Sequence, residues 1–247
     1  MKRYSTFILV AIVFMAVSAI LYLTHYAIFR DTHHIFIFML GDLAFLPLEV
    51  YLVVIVIERI LTRREKQAIM QKLNMVVGAF FSEVGTELLK RLLVCYDRKG
   101  EIVKPFAVRQ DWTHNDFKRA LEFARALDEK PLCQNIDLDN LKVFLLEKQP
   151  FLLRLLENPN LLEHEIFSDL LLATFHLTEE FESRPSLTGL PESDLEHISG
   201  DINRLYGRLV AEWVSYVEHL KADYPYLFSL VVRTHPFQES PSAVVGR

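Results

Sequence analysis

Glycine is scarce, with 8 in 247 residues, and cysteine is limited to Cys95 and Cys133. So few glycines leave little backbone to cradle a phosphate, and neither G-x-G-x-x-G nor G-x-x-x-x-G-K-[ST] occurs. The two thiols stand in no motif spacing, which excludes a C-x-x-C site and fits a reducing compartment better than a secreted disulfide scaffold. H-E-x-x-H and G-x-S-x-G are missing as well, so zinc-protease and serine-hydrolase chemistry lack their signatures. Positive charge is not in excess: the formal net charge is −5, without the clustered basic face that nucleic acid requires. These absences lead us to expect no cofactor, no metal site, no nucleic-acid partner and no enzymatic activity.

What the chain has in abundance is apolar sequence. Hydrophobic residues make up 51% and charged residues 24%, and the apolar excess is concentrated in the first 61 positions. Phe7 to Phe29 is long enough to cross a hydrocarbon core of roughly 30 Å, which needs about 20 helical residues. A cleaved signal peptide ending at "VSA" (17–19) is the competing reading, but the apolar run continues well past Ala19. A polar link, "RDTHH" (30–34), leads to a second span from Ile35 to Ile57. Lys2 and Arg3 precede the first span, and Arg59, Arg63, Arg64 and Lys66 follow the second. The positive-inside rule therefore places both termini in the cytoplasm and assigns those four residues to the inner membrane surface.

The second span contains Gly41, Asp42, Pro47 and Glu49. Centred on Leu46, it puts Asp42 about 6 Å and Glu49 about 4.5 Å from the midplane, on one face and about 10.5 Å apart. An ionised acid at that depth costs roughly 2.5–3.5 kcal/mol, so it should face protein, water or a partner. Pro47 and Gly41 are candidate kink positions. In an antiparallel hairpin Asp42 is level with Tyr22 and within a turn of Thr24, His25 and Tyr26, all able to donate hydrogen bonds. Two helices cannot enclose Glu49, which implies self-association or a neutral carboxyl. The acids then serve either packing and assembly, or an ion or proton pathway through Asp42, Glu49, His25 and Tyr22.

Beyond residue 61 the pattern becomes amphipathic. Leu73, Val77, Phe80, Val84 and Leu88 recur at helical spacing, widened by Val76, Phe81, Leu89 and Leu92, too broad for a coiled-coil seam. The expected organisation is a transmembrane hairpin (1–61), a connecting amphipathic helix (62–97), a cytoplasmic helical domain (98–233) and a flexible tail (234–247). "EIVKPFAVRQDW" (101–112) alone has strand-like character, demoted by Pro105 to loop or edge. Later elements are bracketed by prolines, and Pro150 implies two helices or one kinked helix. The fold class is therefore all-α: a two-helix transmembrane hairpin continuing through a long helix into a helical bundle.

Four histidines, at 164, 176, 197 and 219, lie beside acids in helical sequence. Helical di-metal sites use Glu-x-x-His pairs from facing helices, and the nearest match, Asp194-x-x-His197, has no second copy. Neighbouring Glu–His pairs point apart on a helix, so solvated faces are the expectation here. The combination of "HHIFIFMLGDLAFLPLEV", "REKQAIMQKLNMVVGAFFSEVGTELL", "LLENPNLLEHE" and "YPYLFSLVVRTHPF" resembles an uncharacterised group of prokaryotic two-span membrane proteins. The resemblance implies a multi-pass cytoplasmic-membrane location and brings no activity or site residue with it. The expected role is an interaction or signal-relay module, a homo-oligomer in the lipid bilayer with a cytoplasmic protein partner. The alternative is an oligomeric ion channel or proton-coupled transport subunit.

Overall fold

The structure is a computed structural model that describes residues 2–127, 129, 131–132, 137–159, 161, 164–238 and 240–244, with the side chains of 2–7, 65–69 and 71 outside the description. Among the described residues it is all-helical and contains no strand. The chain divides into two compact units, Met1–Glu65 and Lys66–Arg247.

The first unit holds α1 (Lys2–Phe29) and the greater part of α2 (Thr32–Phe80). The link between them is shorter than the five residues expected. Asp31 Oδ1 accepts from the backbone N–H groups of His33 (2.9 Å) and His34 (3.2 Å), and this cap draws Thr32, His33 and His34 into the helix. Arg30 closes α1 in the left-handed region at φ 48°, its N–H donating to the Tyr26 carbonyl at 2.9 Å. Both helices, over Ile8–Phe29 and Thr32–Arg64, are long and apolar enough to cross a membrane, with mean hydropathies of 2.3 and 2.2. Most of their large apolar side chains are exposed, from 40% at Met39 to 73% at Phe14, with Ile35 and Ile55 half-buried, a larger exposed apolar surface than soluble proteins usually carry. α2 remains helical through Gly41 and Pro47.

The second unit is built around α8 (Glu192–Asp223), which packs against α3 (Thr86–Leu93), α5 (His114–Arg125), α7 (Glu165–Glu182) and α9 (Pro225–Thr234); α6 (Leu138–Leu156) packs on α7. A single helix over 62–97 is not what forms. α2 ends at Phe80, a π-helical turn covers Phe81–Gly85, and α3 follows. The wider turn lets Phe80, Phe81 and Val84 all enter the core. Gly85 is required there, because a Cβ would lie 2.5 Å from Phe81 Cδ1 and 2.8 Å from Phe80 Cε1. The strand-like stretch is corrected too: α4 (Lys99–Val103) runs into a 3₁₀ turn, Lys104–Phe106. Pro105 sits in the first positions of that turn, where a missing N–H costs nothing.

Pro150 lies inside an uninterrupted α6. Thr113 precedes α5, and the Asp116 carboxylate accepts from its N–H and its hydroxyl, each at 2.7 Å. A tail beginning at 234 starts too early: His235 and Phe237 are buried in the core beside Trp213. Cys95 is buried, and Cys133 lies outside the described residues.

Candidate functional site

Within the hairpin unit, Ser18, Leu21, Tyr22, His25, His34, Ile35, Phe38 and Asp42 line a cavity of about 530 Å³. That volume lies in the range of small-ligand sites. The antiparallel register that sets Tyr22 level with Asp42 thus brings Tyr22, His25 and Asp42 around one space. His34 and Ser18 join them. The sequence signal for His34 was its assignment to the link; once Asp31 caps α2, His34 occupies the first turn of a helix facing α1. Its ring stacks on His25, with centroids 6.0 Å apart and planes 8° from parallel. His25 Nδ1 is enclosed and has no hydrogen-bond partner among the described residues.

Other expected partners go elsewhere. Thr24 Oγ1 donates to its own helix at Ile20 O (2.8 Å), and Tyr26 lines a separate small cavity with Thr32, Ile35 and Phe36. Glu49 lies outside the cavity and is exposed. The helical stretch long and apolar enough to cross a membrane runs over Thr32–Arg64, whose middle residue is Leu48. Along that stretch Glu49 lies about 1.5 Å and Asp42 about 9 Å from the middle of the helix, so Glu49 is the more central acid. Neither carboxylate has an ion pair or hydrogen bond among the described residues. Gly41 has nothing within 4 Å of where a Cβ would lie, so no helix inside this unit approaches it closely. Arg59, Arg63 and Arg64 are exposed at the end of the apolar segment, whereas the Lys66 side chain lies outside the described set.

The second unit gathers its titratable groups along α8. Glu212 is 3% exposed, and burial pushes its carboxyl up to about 7. His164 Nε2 stands 3.5 Å from Glu212 Oε1. Burial lowers the His164 pKa, and its Nδ1 accepts from the Phe167 N–H at 3.2 Å, which favours the neutral ring. His235 is also buried, with neither ring nitrogen hydrogen-bonded, and desolvation takes it down to about 4 against a weaker upward pull from the Val108 backbone. Solvated faces therefore describe only part of the histidine set: His164 and His219 are 15% and 17% exposed, and each pairs with an acid.

Across α7 and α8 a polar seam forms. His176 Nε2 is 3.6 Å and His197 Nε2 3.5 Å from Asp201 Oδ2, and His197 Nε2 is 3.8 Å from Glu180 Oε2. Arg184 closes the seam, donating to Glu180 Oε2 at 2.5 Å and to both Asp194 oxygens at 2.7 and 2.9 Å. The Asp194-x-x-His197 pairing is accordingly not made: Asp194 serves Arg184 while His197 turns to Asp201. The informative spacing was i,i+4, His176–Glu180 and His197–Asp201, which places each histidine over its acid on one face. As the side chains stand, no three metal-type groups among the described residues enclose a common ion position.

Two family models match the chain. One, described as MJ1433, N-terminal helical domain, covers residues 2–61, and the other, described as uncharacterized protein MJ1433, C-terminal helical domain, covers residues 69–233. Over 236 residues the chain is 43% identical to "Uncharacterized protein MJ1433" of Methanocaldococcus jannaschii, covering 96% of this chain and 94% of that protein. No solved structure matches it significantly. An all-helical chain with two apolar helices ahead of a helical domain, matched along nearly its full length, belongs to the MJ1433 family.

Proposed function

We propose that this protein is a two-span membrane protein with both termini in the cytoplasm, whose hairpin self-associates through the Asp42 and Glu49 face of α2. Its C-terminal helical domain acts as a non-enzymatic interaction or signal-relay module for a cytoplasmic protein partner. The observation that supports this best is Glu49, a carboxylate within about one residue of the centre of an apolar helix and without a partner in its own unit. A second copy is the simplest group to shield it, since an unshielded acid at that depth is costly. The test is the particle mass of the detergent-solubilised protein, with Asp42→Leu and Glu49→Leu introduced together. The expected result is a smaller assembly than that of the unaltered chain. Identical subunit numbers would refute self-association through these acids.

A second reading has its own support. Tyr22, His25, His34 and Asp42 around one cavity form a set of groups able to pass or hold a proton, which favours a proton-coupled or ion-conducting oligomer. Flux into liposomes that disappears with Asp42→Asn would favour this reading, and absence of flux in the unaltered protein would remove it.

A further inference from the structure

We propose that the cavity bounded by the Lys104–Trp112 segment, α5 and the end of α9 is a binding site for a small organic anion, a molecule with a flat apolar body and one negatively charged group. The cavity lies wholly within the Lys66–Arg247 unit, so the inference does not rest on what the hairpin does. Its volume is about 700 Å³, within the range of small-molecule sites. Three stretches of chain supply its walls: Lys104 to Trp112, Asp116 to Phe123 of α5, and Val232 to Gln238.

The lining has two parts. Val108, Trp112 and Ala120 are its buried, uncharged part, together with His235, whose ring burial keeps neutral at neutral pH. The charged part is Lys104, Arg109 and Arg119 against a single carboxylate, Asp116, in a chain whose net charge is −5. Arg119 is paired with Asp116. Arg109 meets Asp111 at 3.2 Å, but both side chains are largely in water, where such a pair contributes little. Lys104 has no ion pair among the described residues. An incoming anion therefore meets two cations that no buried pair holds. Phe123, an exposed aromatic, adds a wall for a flat apolar group.

The walls stand ready without rearrangement. Within the first segment, the Val108 N–H donates to the Phe106 carbonyl at 2.8 Å and the Trp112 N–H to the Arg109 carbonyl at 3.2 Å. Lys221 of α8 braces the same segment from outside, its Nζ donating to the Gln110 carbonyl at 3.1 Å and to that of Trp112. The Trp112 ring meets Phe117 edge-on, with centroids 5.0 Å apart. The chain after α9 is pinned by Phe237, buried against Phe106 at 5.3 Å. A preformed cavity spares a ligand the cost of ordering its walls. The two-part lining also sets the ligand class. A bare inorganic anion would leave the apolar lining unused, and a neutral apolar molecule would gain nothing from the cations.

The full-length protein in detergent would be titrated by calorimetry with naphthalene-2-sulfonate, with its uncharged analogue naphthalene-2-sulfonamide and with inorganic phosphate, against protein-free detergent as the blank. The expected result is saturable binding of one naphthalene-2-sulfonate per chain, with the sulfonamide and phosphate each weaker by about tenfold or more. Lys104→Gln with Arg109→Gln, both at exposed positions, should weaken sulfonate binding by about tenfold and leave the helical circular dichroism unchanged. Absence of saturable sulfonate binding would overturn the proposal, as would equal affinity in the double variant. Sulfonamide binding as tight as sulfonate would remove the anion from the ligand class, and phosphate binding as tight would remove the apolar body; either result refutes the assignment. Should the double variant lose helicity, Lys104→Gln alone must still weaken sulfonate binding, and unchanged affinity there would be equally fatal.

Discussion

Glu212 offers the sharpest quantitative test of how the helical domain is held together. In the unfolded chain its carboxyl titrates near 4.5, and in the fold near 7 because burial disfavours the charged form. Below pH 4.5 both states are protonated and the residue contributes no pH dependence. Between 4.5 and about 7 the unfolded chain releases its proton while the folded one keeps it, so stability falls as pH rises. Above about 7 the loss is complete, and a separation of this size corresponds to about 3 kcal/mol. Glu212→Gln keeps the shape and cannot ionise. The variant should therefore match the parent near pH 4.5 and exceed it by up to about 3 kcal/mol near pH 8.

The measurement is denaturant unfolding of the detergent-solubilised full chain, followed through the fluorescence of Trp213 and Trp112 at half-unit pH steps. Only the difference between variant and parent is diagnostic, because His164 and His235 titrate in the opposite sense over part of the range. A difference independent of pH would refute the reasoning. So would a variant that is less stable at neutral pH, since that would mean that Glu212 is ionised and paired with a charged His164 across their 3.5 Å separation.

His235 gives the complementary case: its pKa falls from 6.5 to about 4 on folding, so its contribution is fully present above pH 6.5 and lost as pH falls toward 4, about 3 kcal/mol in all. His235→Leu should abolish that acid sensitivity in the same unfolding experiment. Gly85→Ala should destabilise the domain by roughly 1–3 kcal/mol through overpacking against Phe80 and Phe81, read as a lowered denaturation midpoint. Phe167→Ala, at a fully buried position edge-on to Phe80, should cost about 3–5 kcal/mol in the same measurement, without the pH dependence of the other two sites.

The helical class, the two apolar helices and the core face of the connecting segment were legible because each is written locally. Leu73, Val77, Phe80, Val84 and Leu88 follow one face of a helix and are all buried. The π turn at Phe81–Gly85 was not legible, since an extra residue per turn changes which neighbours meet without changing the composition. Nor was the helical start at Thr32, where a single capping carboxylate decides whether His34 belongs to a link or to the cavity. Tyr22, His25 and Asp42 were found by depth matching, a one-dimensional argument that an antiparallel hairpin permits.

Glu212 marks the other limit. Its neighbours from Leu209 to Val214 are buried without exception, because α8 is packed by other helices on several sides at that level. Amphipathic reasoning assigns a helix one wet face and so puts a glutamate in water. The sequence by itself determined that the chain is helical and where its apolar helices lie, since hydrophobic period and length need no partner to be read. The i,i+4 spacing already sets His197 over Asp201, but which polar groups are buried, and that His176 of α7 also reaches Asp201, was decided only by the tertiary structure. Those outcomes depend on the register between separate helices, and no local pattern encodes it.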